Sequence, residues 1–325
     1  MDVSSQVTHT VRHQKTTEPA RRASLVAWAC LLIVYVVWGS TYLAIRVGVE
    51  TIPPLLLAAA RNLMAGVIMF PLAIRSRRAA VRADPGPGRF WPNRVEWLGC
   101  ATVGILLLVA NGVVGVGEKT VPSGLAALLV ATVPLWLLGI DAGLNHARLG
   151  LAPVAGLAVG LVGVALLSGL GGGAGKISVI GVLTILGAAA LWALGTIMAR
   201  RVTMPSSPAL ASGMELLCGG AALLALAASS GEFGSLRLSE VSARSWLALG
   251  YLTVIGSIVA FSAYGIAVRA LPTATVATYA YVNPVIAVLL GALILNERLT
   301  PATFGGGALI VVAVVLVVRR SPPSH

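Results

Sequence analysis

Residues 34–49 read Val-Tyr-Val-Val-Trp-Gly-Ser-Thr-Tyr-Leu-Ala-Ile-Arg-Val-Gly-Val, and residues 188–203 read Ala-Ala-Ala-Leu-Trp-Ala-Leu-Gly-Thr-Ile-Met-Ala-Arg-Arg-Val-Thr. Laid over each other, Trp38 falls on Trp192 and Arg46 on Arg200, and the same separation of 154 positions joins Pro54 to Pro208 and Gly66 to Gly220. Further along, the separation becomes 150, shared by Gly115/Gly265, Pro122/Pro272, Pro134/Pro284, Arg148/Arg298 and Gly156/Gly306. The chain is a duplication, and both copies are almost wholly apolar.

That polarity decides the solvent. With 57% hydrophobic and 10% charged residues and a mean hydropathy of +0.91, the 325-residue chain cannot cover a water-soluble globule, which carries about 25% charge. The net charge of +12 sits in short segments between apolar stretches. Membrane topology accounts for such placement, and nucleic acid is not an expected partner. Cys30, Cys100 and Cys218 each lie in an apolar run with no ligand partner at metal spacing, so they read as small hydrophobes. No metal or cofactor is expected. The first apolar run is too long for a signal peptide and reads as a retained span.

Ten apolar segments are long enough for a hydrocarbon core of roughly 30 Å. They fall near 25–45, 55–74, 97–117, 123–142, 151–170, 178–199, 209–228, 245–268, 273–294 and 301–318. Proline opens many of them, at Pro54, Pro122, Pro153, Pro208, Pro272 and Pro301, where its missing N–H is least costly. The Arg-, Pro- and Gly-rich stretch 75–96 reads as a mobile loop. The predicted organisation is a disordered cytoplasmic tail (1–24), a first repeat (25–170), a Gly-rich linker (171–177), a second repeat (178–318) and a short cytoplasmic tail (319–325). With the N-terminus inside, sixteen Lys and Arg fall in cytoplasmic segments and six in outer ones, which sets both termini in the cytoplasm of a cytoplasmic-membrane protein. Five spans per half is an odd number, so the halves run in opposite senses. The expected fold is all-α and integral to the membrane, with ten helices in two inverted five-helix repeats. Inverted repeats create two exchangeable openings around a midplane site, the geometry of a secondary transporter.

Intramembrane charge is expensive, about 2.5–3.5 kcal/mol per residue on insertion scales, so each case is a functional candidate. Arg61 lies in the second span and Glu215 at the equivalent place in the seventh, 154 positions on. Arg61 is expected in an outer polar layer with Glu118 or Glu297 available, Arg61 and Glu118 serving as gate or coupling residues; the alternative is that Arg61 snorkels to the outer interface and Glu215 pairs structurally with an arginine. Glu215 is expected in an inner layer near Asp141, Arg200 and Arg269, as a gate or coupling residue; no histidine lies at mid-membrane to compete as proton carrier. The polar and aromatic mid-span residues Trp38, Ser40, Thr41, Tyr42, Asn111, Trp192, Thr196, Tyr264, Tyr279, Tyr281 and Asn283 suggest an aromatic-walled cavity for a small-molecule substrate. Each taken singly also fits helix packing. Pro134 and Pro284 sit mid-helix, where each frees a carbonyl and permits a bend. Gly156-x-x-x-Gly160 and Gly305-Gly306-Gly307 allow close helix contact, within the chain or across a homodimer through the fifth and tenth spans.

Trp38-Gly-Ser-Thr-Tyr42, Arg61, Val121-Pro-Ser-Gly-Leu125 leading to Val130-Ala-Thr-Val-Pro134, Tyr279-Ala-Tyr-Val-Asn-Pro-Val285 and Asn296-Glu-Arg-Leu299 together resemble the EamA-type drug/metabolite transporter superfamily, in particular its YedA-like bacterial branch. The resemblance spans about residues 25–318. It implies a central cavity lined by the first four helices of each half, and export of amino acids, other metabolites or toxic compounds. It also implies that Trp38, Ser40, Thr41, Tyr281 and Pro284 lie at or near the transport path. One departure is visible: many relatives match Glu297 with a second Glu in the first half, but here the equivalent position is Ala147.

Two other function classes fit less well. An intramembrane lipid-modifying enzyme needs clustered acids or His/Asp/Ser sets, whereas the eleven acids here are scattered. A passive channel needs a ring of repeated charges or a carbonyl-lined filter. The sequence leaves proton coupling and uncoupled exchange both open.

Overall fold

A computed structural model describes residues 18–83, 91–145, 178–271 and 278–318, with 155, 156, 158–160, 162, 163, 166 and 276. The described residues are helical, without strands. Helix α1 covers Glu18–Gly48, α2 Pro54–Ala83, α3 Arg94–Glu118, α4 Ser123–Val130 and α5 Val133–Leu144. After the linker, α6 covers Val179–Ala199, α7 Pro208–Ser229, α8 Ala243–Tyr251, α9 Ala260–Ala270, α10 Tyr279–Leu295 and α11 Pro301–Val318.

Seven stretches among the described residues are long and apolar enough to cross a membrane: Ser24–Gly48, Pro54–Ala79, Arg94–Glu118, Ser123–Leu144, Val179–Ala199, Pro208–Ser229 and Ala243–Tyr264. Val282–Leu295 and Pro301–Ala313 are shorter apolar helices. These nine coincide with nine of the ten expected segments. Most of the tenth, 151–170, lies outside the described residues, as do the linker 171–177 and both tails. Outward-facing Ile180 and Leu293 are 78% and 77% exposed, a surface suited to lipid rather than water.

Three local features differ from the sequence reading. Residues 75–83, read as the start of a loop, continue α2. Ala and Arg are good helix formers, and Arg82 in the last turn complements the helix dipole. The fourth span is two helices, separated at Ala131–Thr132 just before the Val133-Pro134 start of α5. The eighth span contains a π-helical segment, Leu252–Val259, between α8 and α9; at its end the Ala260 N–H reaches back to the Ile255 carbonyl. Apolar periodicity gives no warning of such an insertion.

Helix ends follow the chemistry of their caps. Asn93 and Glu96 form a reciprocal capping box on α3, both bonds 2.8 Å. Two other starts are capped from the opposite repeat. Glu232 accepts from the Leu55 and Leu56 N–H groups of α2 at 3.3 and 3.0 Å. Glu297 accepts from the N–H and hydroxyl of Ser123, at 2.8 and 2.9 Å, and from the Gly124 N–H at 3.2 Å.

The halves interleave rather than sit side by side. α2 lies along α7, α3 fits between α6 and α7, α1 packs on α9 and α10, and α4 on α10. At the α2–α7 crossing, a methyl group added at Gly66 would stand 2.9 Å from Leu217 Cγ, and one at Gly220 would stand 2.8 Å from Leu63 Cγ. Gly66/Gly220 and Leu63/Leu217 are equivalent pairs under the 154-residue separation, so the crossing is reciprocal in sequence and in space. Of the glycines read for close helix contact, Gly160 approaches Leu135 and Ala313 and Gly307 approaches Leu128, while Gly305 has nothing within 4 Å; Gly163, which the sequence reading did not single out, approaches the Gly306 carbonyl.

Candidate functional site

Where the helices of both halves converge there is a cavity of about 260 Å³. Its wall takes Trp38, Thr41, Tyr42 and Ile45 from α1, Arg61 from α2, and the Leu108–Val114 stretch of α3. α4 and α5 add a strip from Ala127 to Leu137 that includes Pro134. From the second half come Ala188, Ala189 and Trp192 of α6, Phe261 of α9, and Tyr279, Asn283 and Pro284 of α10. Two pairs of repeat-equivalent residues, Trp38/Trp192 and Pro134/Pro284, are on the wall together. Asn111/Phe261 and Val133/Asn283 are also equivalent, by the separation of 150, so at two positions one half is polar where the other is apolar.

The aromatic side is built around Trp38. Its ring lies 5.1 Å from those of Tyr264 and Tyr279 and 5.7 Å from that of Phe261, and the Phe261 and Tyr279 contacts are edge-on. Edge-to-face geometry brings positive ring edges onto negative ring faces, worth about 0.5–1.5 kcal/mol per pair beyond burial. Backbone bonding sets the rest of this side. Thr41 donates to the Trp38 carbonyl at 2.6 Å and Thr196 to the Trp192 carbonyl at 2.9 Å, both back-bonds along their own helix. Asn283, oriented so that its amide nitrogen donates, reaches the carbonyls of Tyr35 and Tyr279 at 3.2 and 3.1 Å. It thereby ties α10 to α1 beside Pro284.

The polar side gathers at the ends of α1 and α3 and the middle of α2. Arg61 is 4% exposed and Glu118 fully buried. Arg46 donates to the Glu118 carbonyl. The Glu118 carboxylate lies within electrostatic reach of Arg46, Arg61 and Glu297. Both of its oxygens, Arg61 Nε and Nη1, Asn111 Oδ1 and both amide atoms of Asn62 lack a hydrogen-bond partner among the described residues.

Several sequence-predicted residues lie off the wall. The Ser40 hydroxyl is engaged with Val37 and Tyr251, at 2.8 and 2.6 Å, and links α1 to α8. Tyr264 stands behind Trp38 and Tyr279. Glu118 lies behind Arg61, and the Tyr281 side chain is outside the described residues. Glu215, the repeat equivalent of Arg61, is partly buried on α7 beside Cys100 and Cys218 and does not reach the cavity. Asp141 faces Arg201 at 3.8 Å and bonds Asn145, in an exposed cluster. Sequence reasoning missed Phe261, which the separation from Asn111 could have flagged. It also missed Asn62, for which adjacency to Arg61 in an apolar span was the available signal. Among the described residues, no group of three His, Cys, Asp or Glu could hold a metal ion.

Two segments of the chain, 26–169 and 179–319, match the model of the EamA-like transporter family. Over 284 residues, 86% of each chain, it is 37% identical to the uncharacterized inner membrane transporter YedA of Escherichia coli K12. It is 27% identical, over 85% of this chain and 89% of the other, to a protein of the same strain named probable amino-acid metabolite efflux pump. A solved crystal structure at 22% identity, covering 93% of this chain and all of its own, superposes with a TM-score of 0.56 and agrees in fold.

Proposed function

Because the chain belongs to the EamA-like transporter family, we propose that it is a secondary transporter that exports small organic metabolites, amino acids or drugs across the cytoplasmic membrane by alternating access. In this reading ten helices form two inverted five-helix repeats, 25–170 and 178–318, joined by 171–177, with both termini in the cytoplasm. The observation that carries it is the wall itself: repeat-equivalent residues of both halves, Trp38/Trp192 and Pro134/Pro284, border one cavity. A site on the pseudo-symmetry axis between opposed repeats can open to either side as the halves rock.

The cavity residues divide by role. Trp38, Tyr42, Trp192 and Tyr279 bound the solute, and Thr41, Asn111 and Asn283 supply hydrogen bonds. Arg61 forms a charged end, with Glu118 behind the wall and the Arg46 and Glu297 contacts beyond it. Glu215 lies off the wall, so its proposed part is in gating or coupling rather than in solute contact. Pro134 and Pro284 provide the bends about which helix halves can shift.

The test is counterflow in proteoliposomes loaded with a metabolite and amino-acid pool. Saturable uptake accelerated by solute on the opposite side is the expected result. Flux that rises linearly with concentration, without exchange, would mean a channel and would refute the reading. A pH-gradient dependence would separate a proton-coupled exporter from an uncoupled exchanger.

A further inference from the structure

The charged end of the cavity is one-sided. Arg61 is the one charged residue among the described lining residues; no carboxylate shares the wall with it. Guanidinium stays ionised and holds its N–H donors in a rigid fork matched to a carboxylate. Here Nε and Nη1 are buried without an acceptor, an arrangement that is unfavourable until something accepts from them.

The protein's own anions are placed so as not to fill that need. Glu297 is occupied by the start of α4. Glu118 attracts Arg61 from behind the wall, yet its carboxylate oxygens are themselves unbonded, and no ion pair joins the two among the described residues. Arg46, the other nearby cation, donates to the Glu118 backbone. An acceptor in the cavity therefore has on its wall a guanidinium whose covered Nε and Nη1 donors are unpaired, to be reached by a small side-chain shift. On the same wall, Asn111 Oδ1 is a buried, unbonded acceptor, able to take one O–H or N–H from a solute. The remainder of the wall is aliphatic or aromatic except for Thr41 and Asn283, whose donors are directed to backbone carbonyls.

We propose that the cavity is a site for hydrophobic monocarboxylates, aryl or branched-alkyl acids whose carboxylate is held by Arg61 and whose hydroxyl donates to Asn111. The inference rests on the transport reading above and narrows its substrate class. A cationic amine finds no carboxylate on the wall and an arginine in its path. A zwitterionic amino acid satisfies Arg61 but leaves its ammonium with neutral amide and hydroxyl oxygens and no carboxylate on the described wall, too little to replace water around a full charge.

The experiment is equilibrium binding to the purified full-length protein in detergent micelles, with radiolabelled 3-phenyllactate, phenylalanine, phenethylamine and 2-phenylethanol as probes. These share one ring and differ in charge and donors. The expected order places 3-phenyllactate at least tenfold tighter than phenylalanine and phenethylamine. Arg61→Gln should weaken 3-phenyllactate tenfold or more and leave 2-phenylethanol unchanged, whereas Arg61→Lys should restore part of the loss. Should Arg61→Gln fail to fold, the wild-type order and the loss of the hydroxyl's advantage in Asn111→Leu, read against 3-phenylpropanoate, decide the matter. Phenylalanine or phenethylamine binding as tightly as 3-phenyllactate would overturn the proposal, as would an order unchanged by Arg61→Gln. If none of the four binds while counterflow shows saturable exchange of another solute, this inference fails and the transport reading stands. If counterflow shows no saturable exchange for any solute, the transport reading itself fails.

Discussion

The α2–α7 crossing allows a quantitative test of how the two halves pack. In Gly66→Ala the new Cβ meets Leu217 Cγ at 2.9 Å, Cδ2 at 3.0 Å and the backbone nitrogen at 3.0 Å. In Gly220→Ala it meets Leu63 Cγ at 2.8 Å, Cδ2 at 3.0 Å and the backbone nitrogen at 3.1 Å. Carbon–carbon contacts are optimal at about 3.5–4.0 Å, so the leucine must turn and the helices must separate by several tenths of an ångström. The leucine can give way; the backbone nitrogen cannot. Overpacking of this kind costs about 1–3 kcal/mol, and the near-identical geometry predicts near-identical single costs. One separation relieves both clashes, so the double variant should cost less than the sum by about 0.5 kcal/mol or more. Unfolding in mixed micelles titrated with SDS, followed by circular dichroism, measures all three. Unequal single costs, or strict additivity, would refute the reciprocal crossing.

Other contacts give sharper local expectations. Glu297→Gln should lower stability by about 1–2 kcal/mol, since charge-assisted bonds to the α4 start become neutral ones, and Glu297→Ala should cost more; equal stability of wild type and Ala variant in the same SDS titration would contradict the capping role. Trp38→Ala removes three ring contacts and one side of the cavity, so the half-saturation concentration for exchange should rise about tenfold, and Trp38→Phe should recover most of it; an unchanged value would take Trp38 off the solute path. Glu215→Gln should leave solute exchange intact because the residue is off the wall, while any pH-driven accumulation is lost; loss of exchange itself would instead place Glu215 in solute binding.

The duplication, nine of the span positions and the helix starts at Pro54, Pro122, Pro208 and Pro301 were legible because burial in lipid imposes apolar runs of set length and proline tolerates few places in a helix. Much of the wall was legible for a related reason: Trp38, Tyr42, Asn111, Trp192, Tyr279 and Asn283 are polar or aromatic in runs that otherwise need neither. What escaped depends on tertiary proximity. Arg61 and Glu215 are equivalent in sequence, yet one reaches the cavity and the other lies beside Cys100 and Cys218, and no periodicity distinguishes them. Glu232 and Glu297 cap helices some 175 residues away, a pairing that only the fold creates. The extension of α2 to Ala83 was misread because arginine and alanine suit a solvated helix as well as a basic loop.

Alternating access is the central claim, and a cysteine on the cavity wall tests it most directly. In a background with Cys30, Cys100 and Cys218 replaced by serine or alanine, Thr41→Cys would be treated with a membrane-impermeant maleimide in sealed vesicles of each orientation. Thr41 lines the cavity and is neither the arginine nor a ring of the aromatic cluster. The account predicts labelling from both faces, protected on both by a saturating transported solute. Labelling from one face alone, whatever solute is present, would contradict it.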